Sequence, residues 1–264
     1  MTALPDVYVQ LAAQGEEVDR LVADLDAAGW DRPTPAPGWT VAHQIAHLTA
    51  TFRMAETAVS APDDFRAFAA SLGGDFDANV RRALGVYLGE PRDVLLKKWR
   101  AGRVAVDEAL AKTPPMQIVP WLVRPLPAAV LAAAGMMELF AHGQDIADAL
   151  GVRRTHDDGL RHLVDFISRT WDFGYQSRAL ETPDARLRFE VTAPSGALWT
   201  YGADDATDVI SGPAVDLCLL ATRRRHRDDL ALTGTGAEAD RWLDIAQAYR
   251  GPAGEGRRPG QFDH

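Results

Sequence analysis

The 264-residue chain has a single cysteine, Cys218, so it cannot form an internal disulfide framework. Cys218 stands among leucines, which favours a buried and inert thiol. Positive charge is also scarce, because 37 acidic residues outnumber 28 basic ones and give a formal net charge of −9. This balance argues against a general binder of nucleic acids or of anionic membranes.

Long apolar segments are missing as well. No run approaches the roughly 20 residues that a membrane-spanning helix needs. The N-terminus has no basic segment followed by an apolar core, so we expect neither a membrane span nor a signal peptide. The hydrophobic content of 47% and charged content of 25% are ordinary for a globular protein. We expect this protein to reside in a reducing cytoplasm.

The first half of the chain has helical periodicity. Apolar residues recur at spacings of three and four, and helices are predicted over residues 4–28, 41–59, 91–110 and about 127–150. Thr40 is predicted to be the N-cap of the second helix, and Gly151 the C-cap of the last one. Residues 60–90 have a mixed pattern, and residues 116–127 are predicted to be irregular because they contain three prolines.

The second half has a different periodicity. Residues 185–192 alternate between apolar and charged side chains, which predicts a strand that pairs with residues 197–202 in a hairpin. Further predictions are a helix over 157–171, a helix that opens at Ser211-Gly212-Pro213, a short strand over 230–232 and a last helix over 236–249. The chain is therefore predicted to be α+β, with a helical domain over 1–153 and a smaller α+β domain over 154–264.

A glutamate and a histidine stand four residues apart in the last helix of the first half. Because positions i and i+4 share one helix face, Glu138 and His142 point the same way, along an otherwise apolar stripe. A carboxylate on such a stripe is costly unless a positive charge compensates it, and a divalent cation would do so. The alternative is that Glu138 lies on a wetter edge and that His142 is a hydrogen-bonded core histidine.

A third ligand is expected from the second helix, which carries His43 and His47 on one face. His47 lies deeper in the helix and is the preferred ligand, whereas His43 is in the first turn, where the alternative is a partly exposed or pocket-lining histidine. Two histidines and one glutamate would leave an open position for water or substrate, as in catalytic zinc sites. Asp145, one turn after His142, could accept the second imidazole N–H of His142 or steady another group nearby.

Three other groups are candidates for substrate or cofactor contacts. Trp121 and Arg124 lie between helices and are candidate pocket residues. The densest basic cluster, Arg223-Arg224-Arg225-His226-Arg227, could hold a carboxylate through parallel hydrogen bonds. The alternative for this cluster is a solvated helix end that is favourable to the helix dipole.

Three segments resemble the mycothiol-dependent maleylpyruvate isomerase family, part of the DinB-like (YfiT-like) metal-binding bundles. They are Pro37-Gly38-Trp39-Thr40-Val41 leading to His47-Leu48, then Glu138-x-x-x-His142-Gly143-Gln144-Asp145-Ile146, and finally Ser211 to Gly234. The segments occur in the order of the family and span nearly the whole chain.

This resemblance implies a four-helix bundle followed by an α/β domain, with His47, Glu138 and His142 as ligands of a divalent metal ion, zinc by default. It further implies thiol activation with mycothiol as the low-molecular-weight thiol, and an arginine near the active site. We accordingly assign Arg223, Arg224 and Asp145 as candidate catalytic residues, and His43, Trp121 and Arg124 as candidate cofactor-binding residues. Two alternatives remain, namely a metal-binding protein without catalysis and a thiol-independent biosynthetic enzyme.

Overall fold

The computed structural model describes residues 6–122 and 124–262, and the chain divides into two compact units, Met1–Arg154 and Thr155–His264. The domain boundary predicted after residue 153 lies one residue before this division. Every helix among the described residues is too short or too polar to span a membrane.

The first unit is helical. Its elements are α1 (Asp6–Val22), α2 (Ala27–Trp30), α3 (Val41–Ser60), α4 (Pro62–Ala70), α5 (Phe76–Leu88), α6 (Arg92–Ala111), the short strands β1 (Ile118–Val119) and β2 (Leu126–Pro127), and α7 (Ala128–Leu150). The long helices α1, α3, α6 and α7 pack on one another as a bundle. Its core holds fully buried Leu11, Ile45, Leu48, Trp99 and Phe140.

Helix α7 is the most deeply buried element of the bundle. Pro127 precedes its first turn, where a missing backbone N–H costs nothing. Gly151 ends it with φ 68°, a left-handed conformation that glycine adopts without steric cost. Both ends agree with the sequence prediction to within one residue.

The first prediction to be corrected is the helix over 4–28, whose start at Leu4 lies outside the described residues. The helix ends at Val22, and Asp26 then caps α2 by accepting the backbone N–H of Gly29 at 2.8 Å. The mixed pattern over 60–90 contains two helices, α4 and α5, and Asp75 caps the second one. The supposedly irregular segment 116–127 contains the antiparallel pair β1–β2.

The second unit contains a four-stranded sheet and short helices. Its elements are a 3₁₀ turn (Asp158–Leu160), α8 (Arg161–Arg169), α9 (Phe173–Gln176), β3 (Leu187–Thr192), β4 (Leu198–Tyr201), β5 (Asp208–Pro213), α10 (Ala214–Ala221), a 3₁₀ turn (Arg227–Asp229), β6 (Thr233–Thr235) and α11 (Ala237–Ile245). The strand order is β4-β3-β5-β6, with β3 and β5 parallel and the other pairs antiparallel. The predicted hairpin and the α+β class are therefore confirmed.

Four elements in this unit have other boundaries than predicted. Ser211-Gly212-Pro213 ends β5 in register with β3, so the helix begins only at Ala214. The strand expected over 230–232 lies at Thr233–Thr235, because the Asp216 carboxylate takes the backbone N–H of Ala231 at 2.7 Å. The helices expected over 157–171 and 236–249 are shorter, Arg161–Arg169 and Ala237–Ile245.

Candidate metal centre

His47 is positioned by helix α3. The buried side chains of Val41, Ile45 and Leu48 fix this helix against the core. The histidine lies on a neighbouring face, with 22% of its side chain exposed. Its Nε2 atom lies 3.5 Å from the Thr51 hydroxyl oxygen, one turn further along the helix.

Glu138 and His142 come from the middle of α7. Their side chains are 23% and 13% exposed, so both groups are largely withdrawn from water yet remain accessible. The Nε2 atom of His142 lies 3.2 Å from the Oε2 atom of Glu138. The same oxygen lies 3.3 Å from the Nε2 atom of His47.

The three side chains therefore converge on one point. Each offers one ligand atom, and these atoms all lie within 4.8 Å of one another. The centroids of the His47 and His142 rings are 4.4 Å apart. Sequence spacing placed Glu138 and His142 on one helix face, and the packing of α3 against α7 brings His47 to them.

The electrostatic state of Glu138 follows from two opposing effects. Burial alone would raise the pKa of this carboxyl, because a charge is less stable away from water. Hydrogen bonds from His142 and His47 outweigh burial, and the net effect holds the pKa of Glu138 well below its ordinary value. The carboxylate is thus maintained in its charged form, which is the form that binds a cation.

Trp39 covers one side of the two imidazoles. Its ring is stacked on His142 with a centroid distance of 5.9 Å and an interplanar angle of 17°. Its centroid lies 5.5 Å from that of His47. The loop before α3 therefore supplies an aromatic wall to the site.

Gln44 connects the histidine of α7 to the loop before α3. Its Oε1 atom lies 2.5 Å from the Nδ1 atom of His142. Its Nε2 atom lies 2.9 Å from the Thr34 hydroxyl and 3.4 Å from the Oδ2 atom of Asp145. Asp145 thus contacts Gln44 and is completely buried.

Neither Gln44 nor Thr34 was predicted from the sequence. One pattern could have identified Gln44, because an amide interrupts the buried stripe of α3 one turn before a candidate ligand. No comparable pattern marks Thr34.

A close helix approach holds α7 from behind the site. Arg154, whose side chain is 2% exposed, donates to the carbonyl of Phe140 at 2.8 Å and pairs with the Glu17 carboxylate at 2.8 and 3.2 Å. A Cβ atom on Gly143 would lie 2.9 Å from the side chain of Val18. Contacts to α1 therefore fix the segment of α7 that carries both candidate ligands.

Residues 11–147 match the family model described as Mycothiol maleylpyruvate isomerase N-terminal domain, which covers just over half of the chain. The chain belongs to the mycothiol maleylpyruvate isomerase family. Two relatives are uncharacterized proteins of Mycobacterium tuberculosis, from strains CDC 1551 / Oshkosh and H37Rv. Each is 41% identical over 251 residues, which are 94% of this chain and 96% of the relative.

Two crystal structures share the fold of this family member. They are mycothiol-dependent maleylpyruvate isomerase and a histidine-to-alanine mutant of it, with TM-scores of 0.56 and 0.54. Their sequence identities are 18% and 17%, and in each case 89% of this chain covers 95% of the other.

His43 has a structural contact of its own in this family member. Its Nδ1 atom accepts the backbone N–H of Thr40 at 3.2 Å and lies 2.9 Å from the Thr40 hydroxyl. This reciprocal bond caps the first turn of α3. Burial, and after it the positive charge of Arg92, lower the pKa of His43. A neutral His43 is the form that can accept the N–H of Thr40.

The other predicted residues of the first unit lie in the segment before α7. The Trp121 ring stacks on Phe65 of α4, with centroids 5.5 Å apart and an interplanar angle of 6°. Arg124 is exposed. These observations place Trp121 in an aromatic pair, and its role in cofactor binding stays a prediction, as does that of Arg124.

The basic cluster lies in the second unit, just after α10. Arg224 is buried and donates to the carbonyl of Thr222 at 2.7 Å, so the cluster is more than a solvated helix end. A cavity of about 300 Å³ in the same unit is lined by residues that include Arg178, Arg223, Arg225, Arg227 and Arg257. Burial lowers the pKa of Arg223, and the charges of Arg257 and Arg224 lower it further.

Cys218 lies in α10 and is completely buried. Burial raises the pKa of this thiol far above its ordinary value. This environment is that of an inert cysteine, as the surrounding leucines predict.

Proposed function

We propose that the helical unit binds one divalent cation, with zinc as the expected ion, through His47, Glu138 and His142. The observation that carries this proposal is the convergence of two imidazole nitrogens and one carboxylate oxygen within 4.8 Å. Two histidines and one glutamate form a ligand set of known catalytic zinc sites, in which a fourth position stays open.

Charge and geometry support the same proposal. Two imidazole nitrogens face a single carboxylate oxygen at 3.2 and 3.3 Å. If both nitrogens were unprotonated, three sets of lone pairs would meet in a partly buried place, which is unfavourable. The arrangement therefore requires a source of positive charge beside the carboxylate, either the partial charge of N–H donors on the histidines or the charge of a metal ion.

Metal analysis distinguishes these two sources of charge. The purified full chain should contain a divalent ion at near-unit stoichiometry, and Glu138→Ala and His142→Ala should lose it. His162→Ala, which changes a histidine of the second unit, is the matched control and should retain it. Full metal occupancy in both ligand variants would show that the assigned site is wrong. If the wild-type protein binds no added Zn²⁺, the three side chains are held together by protons on the histidines and not by a metal ion.

The chemistry that we infer is thiol-dependent isomerisation or S-transfer on a small electrophile, with mycothiol as the thiol. A divalent cation with an open position stabilises a thiolate relative to its thiol, and the thiolate is the nucleophile. The protein side chains would contribute a fixed carboxylate, two oriented imidazoles and the wall formed by Trp39. Membership of the family and the shared fold of mycothiol-dependent maleylpyruvate isomerase support the choice of thiol and of reaction class.

A turnover assay with maleylpyruvate tests this chemistry. The metal-loaded chain should convert the substrate only when mycothiol is present, and Glu138→Ala should abolish the thiol-dependent rate. Turnover that does not depend on a thiol would contradict thiol activation and favour a biosynthetic role. A metal-loaded chain without turnover on this or related electrophiles would favour a binding protein.

Arg223 and Arg224 are proposed to hold the anionic part of the substrate. The support for Arg223 is the concentration of arginines around the cavity of the second unit, where burial and mutual repulsion favour the binding of an anion, and Arg224 is its neighbour, whose charge adds to that repulsion. Arg223→Ala or Arg224→Ala should raise KM about 10-fold or more without loss of metal, in keeping with about 1.5–3 kcal/mol for a hydrogen bond to a charged group. Unchanged kinetics in both variants would remove this cluster from the substrate site.

A further inference from the structure

We propose that Thr34 and Gln44 form a directional chain of hydrogen bonds that keeps a proton on Nδ1 of His142. The Nε2 atom of His142 is then the nitrogen that presents its lone pair to the metal centre. This inference rests on the proposed metal site, but the proton on Nδ1 of His142 can be detected without metal. Thr34 and Gln44 act as positioning residues.

The direction of the chain is set at Thr34. Its hydroxyl oxygen lies 2.9 Å from the carbonyl oxygen of Trp39, and a carbonyl oxygen can only accept. The single hydroxyl proton of Thr34 is therefore donated to Trp39. Toward any other partner, the Thr34 oxygen can act only as an acceptor.

Thr34 in turn sets the orientation of the Gln44 amide. The group that lies 2.9 Å from the Thr34 oxygen must be a donor, so it is the NH₂ group of Gln44. The same NH₂ group lies 3.4 Å from the Oδ2 atom of Asp145, a second acceptor. If the amide were rotated by half a turn, its oxygen would face both acceptors inside a fully buried environment.

The amide orientation then decides where His142 carries its proton. The oxygen of Gln44 lies 2.5 Å from Nδ1 of His142, and an amide oxygen only accepts. Nδ1 must therefore be protonated. The nitrogen that can exchange its proton for a cation is therefore Nε2, which lies 3.2 Å from Glu138 and donates to it when no cation is bound.

The consequence is a ligand whose Nδ1 proton is held in place before any cation arrives. Histidine ligands in metalloproteins commonly donate their second N–H to a neighbouring acceptor, which orients the ring and raises its basicity. Here that acceptor is a side chain of the opposite helix, and the loop that carries Trp39 and Thr34 fixes its direction. The chain also explains why a completely buried amide stands in the apolar stripe of α3.

The decisive measurement is the protonation of the two His142 nitrogens. In the metal-free full chain labelled with ¹⁵N-histidine, the His142 resonances are identified by their absence in His142→Ala. At about pH 8, above the ordinary imidazole pKa of about 6.5, Nδ1 should carry a proton whether or not Nε2 does. A protonated Nε2 beside an unprotonated Nδ1 would overturn the proposal.

Two variants test the chain itself. Gln44→Leu removes the amide and Thr34→Val removes only the hydroxyl, and each should release His142 into a mixture of tautomers. Gln144→Leu and Thr49→Val are matched controls, because they change a buried glutamine of α7 and a buried threonine of α3 that lie outside the chain. Neither control should alter His142.

The pattern of results separates the parts of the inference. If Gln44→Leu and Thr34→Val both leave the His142 tautomer unchanged, the chain of hydrogen bonds does not control it and the proposal is wrong. If only Gln44→Leu changes the tautomer of His142, then Gln44 controls the tautomer and Thr34 does not. If Gln44→Leu does not fold, the wild-type measurement and Thr34→Val still decide.

Zn²⁺ affinity distinguishes this inference from the metal site on which it builds. Gln44→Leu should weaken Zn²⁺ binding about 10–100-fold, the usual effect of losing such an outer partner, although all three ligands remain. If wild-type His142 is protonated on Nδ1 but neither the wild type nor any variant binds Zn²⁺, the metal proposal fails and the inference about His142 stands. If Zn²⁺ binds with equal affinity to the wild type and to Gln44→Leu, the chain of hydrogen bonds has no role in metal binding.

Discussion

Separate replacement of His43 and His47 by alanine should show that His43 caps a helix and that His47 binds the metal. The two residues stand one turn apart on α3, but only His47 has its Nε2 atom at the Glu138 carboxylate, 3.3 Å away. His43 directs its Nδ1 atom to the backbone N–H of Thr40 instead. His47→Ala should therefore lose the metal, whereas His43→Ala should retain it and lose stability.

The size of the stability loss follows from the capping contact. A lost N-terminal cap costs about 0.5–2 kcal/mol, and the better helix propensity of alanine returns up to about 0.6 kcal/mol. Subtracting the second figure from the first, we expect His43→Ala to lower the free energy of unfolding by up to about 1.4 kcal/mol. Because burial and Arg92 lower the pKa of His43, this contribution should be complete above the ordinary imidazole pKa of about 6.5. It should weaken as the pH falls below that value, where the unfolded chain gains the proton first.

Two measurements on the same preparations give the answer. Elemental analysis reports the metal content, and urea denaturation in the presence of a chelator, at about pH 8 and pH 5.5, reports the unfolding free energy. Equal loss of metal from both variants would refute this argument, since it would mean that His43 is a fourth ligand. Such a site would be closed and more structural than catalytic.

Three further predictions concern groups outside the metal centre. Burial raises the pKa of Asp107 to about 6, although Arg103 opposes it, so folding holds a proton that the unfolded chain loses near pH 4. The free energy of unfolding should therefore fall as the pH rises from about 4 to about 6. In urea denaturation, Asp107→Asn should remove this pH dependence and raise the free energy of unfolding by about 1–2 kcal/mol at pH 7, after allowance for partial exposure. An unchanged pH dependence would refute the assignment. Arg154→Met should cost about 2–3 kcal/mol, because it strands the Glu17 carboxylate and the Phe140 carbonyl, and a thermal midpoint equal to wild type would contradict this. Cys218 should resist a thiol reagent in the native chain and react in urea, and rapid native labelling would show that it is accessible.

The sequence was most informative where one local periodicity determined the structure. Glu138 and His142 share a helix face at any tertiary arrangement, and Gly151 ends α7 as its position after the last apolar residue predicts. Strand β5 was missed because its pairing with β3 depends on residues about twenty positions away, and its Ser-Gly-Pro end looks like a helix start. The role of Gln44 was missed for a related reason. It depends on the Thr34 hydroxyl, whose own donor direction is decided by a backbone carbonyl in the loop.

The ligand atoms of the proposed metal centre come from two helices that are far apart along the chain. His47 and Glu138 are separated by 91 positions, and α4, α5 and α6 lie between them. A cation held by both residues would therefore act as a reversible cross-link that closes a long loop of the unfolded chain. In the chain-entropy model, a permanent link across a loop of this length is worth about 4.6 kcal/mol. Since Cys218 is the one cysteine of the chain, a bound cation would be a restraint that no disulfide supplies, and its removal should destabilise the bundle.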